Sequence, residues 1–293
     1  MTNISSAHDK NDQFSLFEKQ AWEASASPYH QLIGPFTCKI ADILLSAVEH
    51  DGQPTSLLDL ATGPGYLANM ATKYGYSEVT GIDFSEEMIS IAKLNQLASN
   101  SSKSGSKSVK FKVGDAEQLE EVDNFFDSVT MNFGILHLAR PNKAIGEAYR
   151  VLKPGGKFGY TVWAKPEQNP GFKLLLDAID TFIDKTLTIP EGPAFFYFSD
   201  GSNSNNALTN AGFIDVNIQK INLEWVVESS DGFFNAFFKG GARIGGLLRL
   251  QTETTLNSIR NKIKIDSKPY KNGDKLHIPI CVMVVVGTKP RTM

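Results

Sequence analysis

The stretch that decides the fold reads Leu57-Leu58-Asp59-Leu60-Ala61-Thr62-Gly63-Pro64-Gly65-Tyr66-Leu67-Ala68. An apolar run ends in two glycines, and Leu67, Met70 and Ala71 then recur at helical spacing. That change of period, with glycines at the junction, predicts a strand, a tight turn and a helix N-terminus. Ligands bind at such junctions because backbone N–H groups and the helix dipole face the mouth of the turn. Glycine also lets a ligand approach the main chain where a Cβ would collide. Gly63-x-Gly65-x-x-Ala68 taken alone also fits an ordinary turn, so its neighbours decide what it binds.

Asp59 stands at the end of the strand, within reach of whatever fills the turn. A dinucleotide would bring its pyrophosphate there, and the carboxylate would repel it. S-adenosylmethionine carries an ammonium and a sulfonium but no phosphate, so the same acid attracts it. Asp83 closes the next apolar run, Val79-Thr80-Gly81-Ile82-Asp83, about 20 residues beyond the turn, where a carboxylate meets ribose hydroxyls. Asp115 follows in Phe111-Lys112-Val113-Gly114-Asp115-Ala116. Acids at three successive strand ends are expected to form one acidic rim.

With four motifs in order, the chain resembles the class I S-adenosylmethionine-dependent methyltransferases, and among them the small-molecule methyltransferases. The motifs are Asp59-Leu60-Ala61-Thr62-Gly63-Pro64-Gly65, Asp83-Phe84-Ser85, Gly114-Asp115-Ala116 and Val151-Leu152-Lys153-Pro154-Gly155-Gly156. The resemblance is strong over residues 30–165 and general elsewhere. It implies an α/β fold: a Rossmann-like, doubly wound sheet of seven strands, mostly parallel with an antiparallel last strand, with helical additions over the site. It implies S-adenosylmethionine as cofactor, held by Asp59, Ala61, Gly63, Gly65, Asp83, Phe84, Met88, Asp115, Ala116 and Asn132. By the same resemblance Asp115 accepts from the adenine amino group while the Ala116 main chain addresses the ring. Phe84 and Met88 are candidates to pack against adenine, although apolar residues there equally suit a core. An N-terminal helical segment, residues 1–50, is expected to cover the site, and residues 51–293 to form the methyltransferase domain with helical insertions near 165–212 and 230–270.

A chain of 293 residues is long enough to bury a sizeable core as one large or two small domains. Its balance of 21% charged and 41% hydrophobic residues is that of a soluble globular protein. The net charge of −3 leaves no excess of Lys and Arg for a phosphate backbone, which argues against nucleic acid as substrate. Cys38 and Cys281 lie far apart without Cys-x-x-Cys spacing, so neither a zinc site nor a disulfide scaffold is expected. Met1 to Gln13 is polar, and nothing downstream approaches the ~20 apolar residues of a membrane span. A cytoplasmic protein without metal is expected, its first ten or so residues disordered. Oligomeric state has no signature in the sequence.

Along the chain, a weakly helical pattern from Phe14 breaks at Ser27-Pro28, and a second, through Ile40, Leu44 and Val48, closes at Asp51-Gly52. A helix over 66–74 leads to a strand over 79–83, and Ser85-Glu86-Glu87-Met88 starts the next helix with a Ser cap and acids in its first turn. Residues 99–108 read as a flexible connection whose Lys103 and Lys107 are solvated. Strands are expected over 109–113 and 125–133, then a helix from Arg140-Pro141 stopped by Pro154-Gly155-Gly156, then a strand over 157–163. Beyond Lys165 come helices over 172–182 and 199–211, a strand over 214–227, an aromatic helix carrying Phe233, Phe234, Phe237 and Phe238, and a buried last strand over 278–286.

Methyl transfer from a sulfonium is an in-line displacement, so the protein must hold the acceptor close, aligned and dry, which supplies roughly 7–11 kcal/mol of the barrier. A base is needed only where the acceptor loses its proton, as a hydroxyl or a carbon acid does and a free amine does not. His137 follows the fourth strand at the ligand-binding end of the sheet and is the first base candidate; Tyr29 and His30 are others. The clusters Phe195–Phe198 and Phe233–Phe238 are either core or the roof over an apolar or aromatic small-molecule acceptor. Arg243 could pair with an acidic acceptor, but the plainer expectation is a solvated side chain. Two other readings stand beside the methyltransferase: a nicotinamide-dependent oxidoreductase on a similar sheet, and a non-catalytic S-adenosylmethionine-binding module.

Overall fold

A computed structural model describes residues 3–49, 54–100 and 109–291. The expected close at Asp51-Gly52, Lys103 and Lys107 lie outside the described residues. The element order is α1 (Asn3–Leu32), α2 (Gly34–Ala47), β1 (Ser56–Leu60), α3 (Tyr66–Ala71), β2 (Glu78–Asp83), α4 (Glu86–Asn100), β3 (Val109–Val113), β4 (Phe126–Asn132), α5 (Pro141–Val151), β5 (Leu152–Trp163), α6 (Pro170–Phe182), α7 (Gly201–Asn210), β6 (Ile214–Val227), α8 (Ser230–Gly240), α9 (Arg243–Arg249), α10 (Glu253–Asp266), β7 (Lys271–Asn272) and β8 (Lys275–Thr288). Two compact units divide it. The sheet unit comprises Thr37–Val162, Pro193–Gln219 and Met283–Met293, and the helical unit Met1–Phe36, Trp163–Gly192 and Lys220–Val282.

The sheet runs in the order β3-β2-β1-β4-β5-β8-β6, and the two-residue β7 adds an eighth strand against β8. β1 pairs in parallel with β2 (Leu57↔Val79, Asp59↔Gly81) and with β4 (Leu57↔Ser128, Asp59↔Thr130). β3 joins β2, and β5 joins β4, in the same sense. Every residue of β1 is buried, as a parallel strand covered on both faces must be, and this explains its unbroken apolar run. The direction reverses at β8: Ala164 N donates to Cys281 O, whereas Lys289 N donates to Gly156 O, so β5 and β8 run antiparallel. The order therefore turns back on itself between β1 and β4, and ligands bind beyond the carboxyl ends of such strands.

Pro154-Gly155-Gly156 does not lie between helix and strand as expected; it belongs to β5, which starts at Leu152. Lys289 is the reason. Its main chain bonds Gly155 N and Gly156 O, extending the ladder, while its buried Nζ donates to Tyr149 O (2.8 Å) and Leu152 O (2.7 Å) at the end of α5. Those are carbonyls that a helix leaves without partners at its C-terminus.

In the helical unit, Trp225 packs edge-on against Phe233 and Phe237, Phe172 meets Phe237, and Phe36 stacks on Trp225. The second aromatic cluster is thus core at Phe233, Phe234 and Phe237. Two expectations fail here. The break at Ser27-Pro28 is absent because α1 runs through Pro28 to Leu32. Proline is disfavoured inside a helix, but packing overrides local preference: at Gly240 a Cβ would come within 3.2 Å of the Tyr29 Cα, so α8 presses on α1 one residue past the proline. Nor is Arg243 solvated: its side chain is 13% exposed, its Nε lies 3.6 Å from Glu18 Oε1, and its guanidinium sits over the Phe14 ring. Among the described residues, no helix is long and apolar enough to cross a membrane, and no group of His, Cys, Asp and Glu could hold a metal ion.

Candidate active site

Three residues in five adopt the left-handed conformation just after β1: Ala61 (φ 49), Gly63 (φ 52) and Gly65 (φ 74). The two glycines have different work. A Cβ on Gly65 would lie 2.7 Å from the Phe111 ring and 2.9 Å from the Ala92 Cβ, so Gly65 serves close packing of the turn on its neighbours. A Cβ on Gly63 would meet only Met88 Sδ, at 4.0 Å. The main chain is open to a ligand at Gly63. Ala61 and Phe133 (φ 59) hold a conformation that costs a side-chain-bearing residue roughly 1–2 kcal/mol, and they stand at the ends of β1 and β4, flanking the reversal in strand order. Strain of this kind gathers at functional sites.

The amides of the turn are already spent. Thr62 N donates to Ile82 O (2.9 Å), Gly63 N to Asp83 Oδ2 (2.8 Å) and Gly65 N to Thr62 O (3.0 Å). The helix that follows has six residues, too short to add much dipole. A pyrophosphate would therefore find a carboxylate where it needs donors.

The three acids differ more than a common rim would suggest. Asp59 is 1% exposed and lies beneath the turn, taking hydroxyl protons from Thr62 (2.6 Å) and Thr130 (2.8 Å). Burial raises its pKa from 3.8 to about 7, the two hydroxyls oppose the rise, and the nearby Asp83 adds to it. Asp83 is 5% exposed, with Oδ1 accepting from Ser85 N (3.0 Å) and Oδ2 from Gly63 N (2.8 Å). Asp115 alone is exposed; its Oδ1 accepts from Glu117 N (2.8 Å). Ser85 caps α4 by accepting from Met88 N (3.1 Å), which leaves Phe84 half-buried between two anchored residues. Met88 and Ala116 are buried.

His137 ends a 3₁₀ turn, Ile135–His137, after β4. Its ring is half-buried and stands edge-on to Phe195 with centroids 6.1 Å apart, and Phe195 in turn meets Phe196 edge-on at 5.0 Å. Phe198 is core against Tyr160, so the first aromatic cluster is divided between core and site. Asn132 is tied internally: Nδ2 donates to Thr37 O (3.2 Å) and Oδ1 accepts from Thr161 Oγ1 (2.7 Å). Tyr29 and His30 belong to the helical unit near the end of α1, where Tyr29 stands edge-on to Trp22. The structure thus brings Asp59, Ala61, Gly63, Gly65, Asp83, Phe84, Met88, Asp115, Ala116 and His137 to the carboxyl ends of β1 to β4. Thr62 and Thr130 were missed by sequence reasoning. The only signal for Thr130 is its register opposite Asp59, which no local pattern reveals.

Residues 58–159 match the family model described as a methyltransferase domain. The demethylmenaquinone methyltransferase of Thermus thermophilus is 42% identical over 105 residues, 36% of this chain and 45% of that protein. The ubiquinone/menaquinone biosynthesis C-methyltransferase UbiE of Rickettsia typhi is 39% identical over 109 residues, 36% of this chain and 42% of that one. The chain spans less than half the length of these curated relatives. Among solved structures, the phosphoethanolamine N-methyltransferase 2 of Haemonchus contortus, bound to phosphomonomethylethanolamine and S-adenosylhomocysteine, aligns with a TM-score of 0.51 at 20% identity, covering 86% of this chain and 52% of that one. This likeness shows the fold. The matched stretch contains all four motifs, so sequence and fold agree on the resemblance to S-adenosylmethionine-dependent methyltransferases.

Proposed function

We propose that the chain is an S-adenosylmethionine-dependent methyltransferase whose acceptor is a carbon of a small hydroxylated aromatic ring, of the quinol type. One observation carries the cofactor: the Gly63 amide, which a dinucleotide would need for its phosphates, is held by the Asp83 carboxylate at 2.8 Å. The residues present fit a cationic nucleoside and disfavour a phosphorylated one, which sets the nicotinamide reading aside. The Asp83 carboxylate at the end of β2 suits ribose hydroxyls, Asp115 and the Ala116 main chain suit adenine, and Phe84 and Met88 supply apolar walls for the ring. When bound, the cofactor supplies a methyl group already activated on sulfur.

Support for the acceptor comes from the relatives named for demethylmenaquinone and for C-methylation, together with the partly exposed Phe195 and Phe196 beside His137. Apolar and aromatic walls with few polar groups are usual for such acceptors. A phenolic ring carbon becomes nucleophilic once its hydroxyl loses a proton, and it loses its own proton after the new C–C bond forms. His137 is placed to take the first of these.

Calorimetry with S-adenosylhomocysteine and with NADH tests the cofactor; heat with the first and none with the second is expected, and the reverse overturns the reading. His137→Ala is expected to lower turnover of a demethylated quinol about 100-fold. Its affinity for S-adenosylhomocysteine should stay within about threefold of wild type, since the imidazole is assigned to the acceptor and not to the cofactor. Unchanged turnover removes His137 from the chemistry.

A further inference from the structure

The loop after β3 and the turn after β4 are separate in sequence, yet one side chain joins them. Glu117 Oε1 accepts a hydrogen bond from the main-chain N of Arg140 at 2.7 Å, and its Oε2 lies 3.5 Å from Arg140 Nη1. Both side chains are largely buried, at 9% and 19% exposure. On one side, the Glu117 amide donates to Asp115 Oδ1 (2.8 Å), and Gln118 N donates to Asp115 O (3.1 Å), so Glu117 and Asp115 belong to one tight loop. On the other side, Arg140 is the N-cap residue of α5, has no side-chain cap of its own, and follows His137 by three residues. Glu117 therefore serves as the cap supplied from another strand end, with its charge at the favourable pole of an 11-residue helix.

Further along, Leu119 N donates to Glu147 Oε2 (2.7 Å), while Arg150 donates to Glu121 O (2.7 Å) and Leu119 O (3.2 Å). The loop is fastened to α5 from its first turn to its last.

We infer that Glu117 is a positioning residue that couples the Asp115 loop to the His137 turn, so that filling the adenine side sets the imidazole for proton transfer. This rests on the reading of the site proposed above. Because the short contact is to the Arg140 main chain, the acceptor oxygen matters and the Arg140 side chain does not.

The full-length chain carrying 13C-labelled histidine tests this, with the His137 signal assigned by its loss in His137→Gln. Saturating S-adenosylhomocysteine is expected to move the His137 signal in wild type and to slow hydrogen exchange of the Arg140 amide. Glu117→Gln and Arg140→Ala should keep the movement. Glu117→Ala should lose more than half of it, and the loosened Asp115 loop should bind S-adenosylhomocysteine about fivefold more weakly. A His137 signal that stays put in saturated wild type, or moves equally in Glu117→Ala, overturns the coupling, as does its loss in Arg140→Ala. Where Glu117→Ala does not fold, Glu117→Asp, too short to keep the 2.7 Å contact, takes its place with the same two outcomes. Absence of any binding heat overturns the cofactor reading instead, and is seen in the same titration.

Discussion

Asp59 and Asp127 sit on paired strands, β1 and β4, and meet opposite electrostatic surroundings. Asp59, near the carboxyl end of β1, is buried among two hydroxyls with Asp83 as its charged neighbour. Burial therefore governs it, and its carboxyl titrates near neutrality. Asp127, near the amino end of β4, is also partly buried, which pushes its pKa up. Lys153 Nζ (2.9 Å), Thr55 N (2.9 Å) and Ser56 N (3.0 Å) outweigh that and hold it far below the ordinary value. One end of the sheet is neutralised and structural. At the other, burial governs Asp59 with Asp83 as a like-charged neighbour, a setting that would favour the cationic cofactor proposed above.

The sharpest way to break this comparison is Asp59→Asn. A carboxyl raised from 3.8 to about 7 resists ionisation in the fold, so its stabilising share is complete below pH 4, falls from there to pH 7, and is gone above. The variant should lose that slope in melting temperature and, without ligand, gain at most about 4 kcal/mol at pH 8. Calorimetry should show S-adenosylmethionine binding at least about tenfold more weakly, a loss of 1.4 kcal/mol or more. A slope unchanged from wild type would remove Asp59 as the buried titrating carboxyl.

Asp127→Asn should act with the opposite sign. Its folded pKa is depressed, so its contribution is present above about pH 4 and is lost as the solution is acidified below that. Denaturant titration at pH 7 should show a loss of about 2 kcal/mol, the scale of a charged hydrogen bond. Cofactor affinity should remain within about threefold because the residue lies at the far end of the strands. A large affinity loss would erase the distinction between the ends.

The smallest effect on stability is expected at Gly63→Ala. Its φ of 52 makes alanine cost about 1 kcal/mol, but Met88 Sδ at 4.0 Å leaves room for the methyl group. Binding should nevertheless weaken about tenfold, since the Cβ occupies the face on which a ligand meets the main chain. Equal affinity for the cofactor would place the ligand elsewhere.

Much of the sheet unit was legible from the chain. The strands over 79–83 and 109–113 were placed to within one residue, and β6 spans 214–227 as expected. Parallel strands buried on both faces write themselves as apolar runs bounded by glycine and acids. The helical unit was less readable. Pro28 lies within α1 because a neighbouring helix packs there, and Arg243 lies against Glu18 and Phe14 because α1 and α9 share one interior. Both outcomes depend on partners more than 200 residues away in the chain.

What the sequence determined alone is the succession of strand, turn and helix, and the presence of acids at the strand ends, since period, glycine and side-chain type are local properties. Tertiary structure decided what each acid does. Asp83 takes the Gly63 amide, Asp59 goes under the turn, and Glu117 reaches Arg140, all through registers set between segments distant in the chain. The same residue type is therefore exposed, buried or structural according to which donors and charges the folded sheet brings beside it.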